Sequence, residues 1–197
     1  MARRAFNLPN ILTYGRIAAV PLVVLCFFIE GTLQSSDFAR WCAFWIFIIA
    51  SITDYLDGYL ARAWQQTSII GRMLDPIADK LLVATSLLLL AADTDGTLAG
   101  WSLWAAIIIL CREILVSGLR EYLAELKVSV PVTRLAKWKT AVQMVAIAAL
   151  LLGPAGDHFF MPYWTQIAIV LLWIAALLTL YTGYDYFRAG AKHILEE

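Results

Sequence analysis

The stretch DYLDGYLARAWQQTSIIGRMLDPIAD, residues 54–79, stands between the apolar runs WCAFWIFIIASI (41–52) and LLVATSLLLLAA (81–92). It places four aspartates, Asp54, Asp57, Asp75 and Asp79, where charge is expensive. An ionised carboxylate beside hydrocarbon needs a cation, a pairing partner or an aqueous cavity. Asp54 and Asp57 are three residues apart, and Asp75 and Asp79 are four apart, so on helices each pair shares a face. Gly58 continues the Asp54 face and leaves room for close approach, and the small Ala61 follows Asp57 by four residues. Gly71 is expected to relieve the turn between the two acidic faces, with Pro76 in the first turn of the next helix.

Carboxylate-only donors select hard divalent cations, Mg²⁺ or Mn²⁺, and four acids have the capacity for two such ions. A zinc site is poorly supported, because His158 and His193 belong to a distant loop and tail. Metal ions beside Arg62 and Lys80 suit diphosphate chemistry, where cations offset phosphate charge and stabilise charge developing in the transition state. In the competing structural reading, the acids only pair with Arg62, Arg72 and Lys80 at a wet interface. That reading accounts for the charges but not for the paired spacing and the two glycines.

Outward from this stretch, the chain reads as membrane protein. Its 197 residues are 61% hydrophobic and 15% charged, against about 25% charged in a soluble domain. Mean hydropathy is +0.74. Six segments, roughly 11–29, 38–61, 73–92, 99–119, 138–153 and 163–183, approach the ~20 apolar residues that cross the hydrocarbon. They are expected to be helices, since backbone in lipid must satisfy its own hydrogen bonds. The fold class is therefore all-α, a polytopic membrane protein with six transmembrane helices forming one domain over 1–197. Residues 1–9 are short and basic, and the apolar run after Asn10 lacks a small-residue cleavage site, so it reads as a retained first span. Cys26, Cys42 and Cys111 lie in or beside apolar segments and make no disulfide framework.

The formal net charge is zero, yet the charges are unevenly placed. Along a six-span path, fourteen of the fifteen Lys and Arg residues fall with the termini, and Arg40 alone falls opposite. The positive-inside rule then puts the termini and the acidic cluster on the cytoplasmic side of a bacterial inner membrane. Arg112 and Arg120 bracket the end of the fourth span, and Lys137 and Lys139 open the fifth. Arginine grips phosphate bidentately and lysine adds a mobile charge, so these four suit a phosphorylated acceptor. Lys127, Arg134 and Arg188 fit better as anchors to anionic headgroups of membrane phospholipids. Asn10, Thr13 and Arg16 follow at helical spacing, placed either to close a donor site near its diphosphate or to cap and anchor the first helix.

Asp54, Asp57, Gly58, Ala61, Arg62, Gly71, Asp75 and Asp79 match every fixed position and every gap of the CDP-alcohol phosphatidyltransferase signature. On those residues the chain resembles that family. The resemblance implies the family's six-helix fold, usually homodimeric, and transfer of a phosphatidyl group from a CDP-linked lipid to an alcohol with release of CMP. It implies that the four aspartates bind the divalent ions, that Asp79 is the base for the acceptor hydroxyl, and that Asp57, Gly58, Ala61 and Arg62 contact the cytidine diphosphate. NLPNILTYGR (7–16), GRMLDPIADK (71–80), REILVSGLREY (112–122) and KWKTAVQM (137–144) are similar to bacterial members that join CDP-diacylglycerol to sn-glycerol 3-phosphate. No nucleic-acid partner is expected. Two other readings remain open: a relative with a different acceptor, and a small cation transporter, against which the clustering of acids at one end of the spans argues.

Overall fold

The computed structural model describes residues 8–33, 36–63, 69–93, 97–126 and 134–195. They form six helices: α1 (Leu8–Leu33), α2 (Ser36–Ala63), α3 (Ile69–Ala92), α4 (Trp101–Glu125), α5 (Arg134–Phe159) and α6 (Trp164–Leu195). No strand occurs among the described residues. Among the described residues, four stretches are long and apolar enough to cross a membrane: Asn10–Phe28, Trp101–Glu125, Trp138–Phe159 and Trp164–Arg188. α2 and α3 are also long, at 28 and 24 residues. The chain is thus an all-α, polytopic membrane protein, with six helices, four of which meet the span criterion among the described residues.

Most helices run past the expected apolar spans, because hydropathy marks only the lipid-buried part of a helix that continues into polar surroundings. α3 begins at Ile69, so Gly71 lies buried inside a helix and Pro76 falls well beyond the first turn. The expected turn at Gly71 is therefore absent; membrane helices tolerate an internal proline where neighbours satisfy the freed carbonyl. The segment 153–162, read from its glycines and prolines as a loop, is helical as far as Phe159 and carries His158. Gly153 interrupts it, with φ 42° and ψ −122°, and Pro154 follows at once. That left-handed backbone is open to glycine at little cost.

Contacts divide the chain into two compact units, residues 1–97 with 147–165, and residues 98–146 with 166–197. In the first, α1 packs on both α2 and α3. Its buried stripe is polar at one end, with Asn10, Thr13 and Arg16, and continues through Ala19, Val23 and Cys26. α2 buries Phe47 together with Ala39, Ala43 and Ala50, and the alanines are small enough to let helix backbones approach where no hydrophobic force separates helix from lipid. Leu22, Leu25, Phe28, Trp45 and Ile49 point outward, as lipid-facing residues do. In the second unit, Ala105 and Ala106 of α4 and Ala168, Ala175 and Ala176 of α6 are buried in the same small-residue manner, beside the larger Ile109 and Leu172.

Arg40 is fully buried, and its Nη2 donates to Asp93 Oδ2 at 2.6 Å. The same oxygen accepts from Thr97 Oγ1 at 2.6 Å, and the guanidinium lies 5.6 Å from the Phe27 ring centroid. A Cβ at Gly153 would sit 3.0 Å from Arg40 Nη1, so the kink in α5 is also a close approach to this pair. Removing one partner of such a buried pair leaves an uncompensated charge, which costs about 3–5 kcal/mol, whereas replacing both with apolar residues is often neutral. Arg40→Leu is therefore expected to lower the thermal unfolding midpoint in detergent, and Arg40→Leu with Asp93→Leu to recover most of the loss. Equal midpoints for the single variant and the parent would contradict this account.

Candidate active site

The first unit assembles the acidic site from three helices. α1 contributes Asn10, Thr13 and Arg16, at most 2% exposed, because its packing on α2 and α3 turns this polar end of the stripe inward. Thr13 Oγ1 donates to Asp75 Oδ1 at 2.6 Å. Arg16 Nη1 lies 2.6 Å from Asp54 Oδ1 and 2.6 Å from Asp79 Oδ1. One guanidinium nitrogen thus holds a carboxylate of α2 and a carboxylate of α3. Charge-assisted bonds of this kind are shorter and stronger than neutral ones. The Arg16 side chain has no exposure, whereas those of Asp54 and Asp79 are 33% and 42% exposed, so the acids keep a face open to a ligand.

Of the four expected metal-ligating acids, Asp54, Asp75 and Asp79 all engage α1. Asp57, Gly58, Ala61 and Arg62 lie outside the residues whose side chains are described, as does Lys137. Among the described residues no three acidic, histidine or cysteine side chains converge as a ready-made cage for a metal ion. The donor chemistry nonetheless fits a hard divalent cation. The donors are all carboxylate oxygens, and two of them already share a single positive group.

The second unit carries a cationic cluster. Arg112 Nε donates to the Thr179 carbonyl at 2.9 Å, and Nη2 to Thr182 Oγ1 at 3.0 Å. A Cβ at Gly183 would stand 3.1 Å from the Arg112 side chain, so glycine there makes room for the guanidinium against α6. Lys139, 4% exposed, donates to Glu113 Oε1, and Arg112 Nη1 lies 3.5 Å from the same oxygen. Arg120 is exposed, with its guanidinium 5.7 Å from the Tyr186 ring centroid.

Of the four expected acceptor-phosphate cations, Arg112 and Lys139 meet at Glu113 Oε1. Arg112 is largely spent on α6 and Lys139 on Glu113, while Arg120 is exposed beside Tyr186. Glu113 was not singled out from the sequence. The available signal was an acid next to Arg112 deep in an apolar span, which demands a nearby cation.

A family model described as CDP-alcohol phosphatidyltransferase matches residues 6–181 of this chain. A Rickettsia bellii protein named CDP-diacylglycerol–glycerol-3-phosphate 3-phosphatidyltransferase is 47% identical over 187 residues, which cover 95% of this chain and 97% of that one. Proteins of the same name from Cereibacter sphaeroides and Haemophilus influenzae are each 38% identical, covering 98% and 97% of this chain and 99% and 97% of their own lengths. The acidic signature, the helical fold and these end-to-end matches agree, and the chain belongs to the CDP-alcohol phosphatidyltransferase family.

Proposed function

We propose that this enzyme transfers the phosphatidyl group of CDP-diacylglycerol to sn-glycerol 3-phosphate, giving phosphatidylglycerol phosphate and CMP. The observation that carries the reading is the docking of α1 onto the signature acids through Thr13 and Arg16, in a chain matched almost end to end by relatives of that name.

Asp54, Asp57, Asp75 and Asp79 hold a divalent cation, Mg²⁺ or Mn²⁺, with capacity for two. When bound, it supplies positive charge that compensates the donor diphosphate and the departing CMP. Asp57, Gly58, Ala61 and Arg62 contact the cytidine diphosphate, and Asn10, Thr13 and Arg16 border it from α1. The acyl chains stay in the bilayer while the charged ends react at its cytoplasmic edge.

Arg112, Arg120, Lys137 and Lys139 bind the acceptor phosphate. Arg120 is the best placed of the described three, since the residue is exposed and its guanidinium lies against the Tyr186 ring. The acceptor hydroxyl attacks the β-phosphorus of the donor. Its O–H bond breaks with the proton passing to Asp79, a new P–O bond forms, and the P–O bond to CMP breaks. Six helices set in the inner membrane, with both termini cytoplasmic, fit the placing of fourteen of fifteen Lys and Arg residues. The family resemblance supports a homodimer.

Asp57→Ala and Asp75→Ala are each expected to abolish CMP release from CDP-diacylglycerol while the protein still inserts in the membrane. Either variant working at the parent rate, at low divalent-ion concentration and equal enzyme amount, would sink the four-acid assignment.

Asp79→Asn keeps the volume but removes the proposed base, and a loss of at least ~100-fold in kcat is expected. A pH–rate profile with donor binding measured in parallel separates the base from a ligand role, and retained turnover would refute both.

Arg120→Ala removes one charge-assisted contact to phosphate, so acceptor kcat/KM is expected to fall roughly 10–150-fold with donor binding little changed. Unchanged acceptor kinetics would return Arg120 to an anchoring role.

A further inference from the structure

Arg16 is buried among apolar helices, yet its Nη1 contacts oxygens of two carboxylates that belong to the catalytic signature. A structural counter-ion has no need to choose the acids that a catalytic cation also requires. Those oxygens, Asp54 Oδ1 and Asp79 Oδ1, are each 2.6 Å from the same nitrogen, so a cation bridging them would meet the guanidinium in its own place. Like charges at that range repel strongly in a partly buried setting. Both groups cannot hold both oxygens at once.

We propose that Arg16 is the site's built-in competitor for the divalent cation. Its guanidinium holds Asp54 and Asp79 together until a cation binds the acids, and it is then released toward the anionic donor. The proposal rests on the reading of these acids as cation donors given above. It adds that cation affinity is set by α1 as well as by the acids. The device has a physical use. Two facing carboxylates without a partner would repel one another and strain the packing of α2 and α3 on α1. A resident guanidinium keeps the helices docked, at the expense of cation affinity.

The test is Mn²⁺ binding by the purified full-length protein in detergent, read from the electron paramagnetic resonance signal of free Mn²⁺, with thermal unfolding measured in parallel. Arg16→Gln is expected to bind Mn²⁺ at least about tenfold more tightly than the parent, since the competing charge-assisted contacts are gone. Its unfolding midpoint should fall in chelator and be restored by Mn²⁺. Arg16→Lys, which keeps the charge but loses the fork, should bind with intermediate affinity and serves if the glutamine variant does not fold. Affinity in these variants equal to or weaker than that of the parent overturns the proposal, as does a midpoint loss that Mn²⁺ leaves unchanged. Asp54→Asn and Asp79→Asn should both lose Mn²⁺ binding. If they bind as the parent does, the fault lies in the acid-site reading itself, whatever Arg16 does.

Discussion

The contact of one Arg16 nitrogen with both Asp54 and Asp79 is the constraint around which the first unit is organised. Charge inside apolar helices is tolerated only when compensated, and here the compensation joins three helices at once. α1 must dock with its polar end facing α2 and α3, which fixes its rotation. That rotation also sends Ala19, Val23 and Cys26 inward and leaves Leu22, Leu25 and Phe28 for lipid. In a membrane, where apolar contact with lipid is as good as apolar contact with protein, polar pairs of this kind and small residues determine how helices pack. The same chemistry that makes the acids useful to a phosphatidyl transferase therefore also orients the scaffold that carries them.

The two units solve the problem of buried charge differently. In the first, Arg16 divides its charge between two acids that stay partly exposed, an arrangement that another cation can disturb. Arg40 and Asp93, in the same unit, form a closed pair supported by Thr97 and by the kink at Gly153. That pair has no open face and reads as structural. In the second unit, Glu113 anchors Lys139 while Arg112 is fastened to the α6 backbone, which holds positive charge in place among apolar helices. Arg120 is exposed there, with its guanidinium against the Tyr186 ring.

Much of this was legible in the chain. The paired spacing of the aspartates placed them on helical faces, and the i, i+3, i+6 stripe of Asn10, Thr13 and Arg16 raised a donor-site role against simple capping. The structure adds that these three side chains are buried and that Thr13 and Arg16 touch the signature acids. What stayed hidden was pairing between segments far apart in sequence. Arg40 looked like a solitary charge on the far side because its partner, Asp93, is 53 residues away. Glu113 finds Lys139 across 26 residues, which no local periodicity encodes. Gly71 and the stretch from Gly153 to Pro162 read as turns in the sequence, since glycine and proline are strong punctuation in soluble chains. Within apolar helices the alternative to a helix is an unsatisfied backbone, and the helices continue through them.

The central claim is that this acidic site, in this scaffold, joins a CDP-linked lipid to a phosphorylated alcohol. The most direct measurement gives the purified protein CDP-diacylglycerol, Mg²⁺ or Mn²⁺ and separate acceptors: sn-glycerol 3-phosphate, glycerol, serine and inositol. Lipid mass spectrometry identifies the product, and CMP release counts turnovers. Phosphatidylglycerol phosphate formed with sn-glycerol 3-phosphate, matched by equal CMP and absent with the other three, is the expected result. Turnover with one of the unphosphorylated alcohols in preference, or none with any acceptor, would contradict the account.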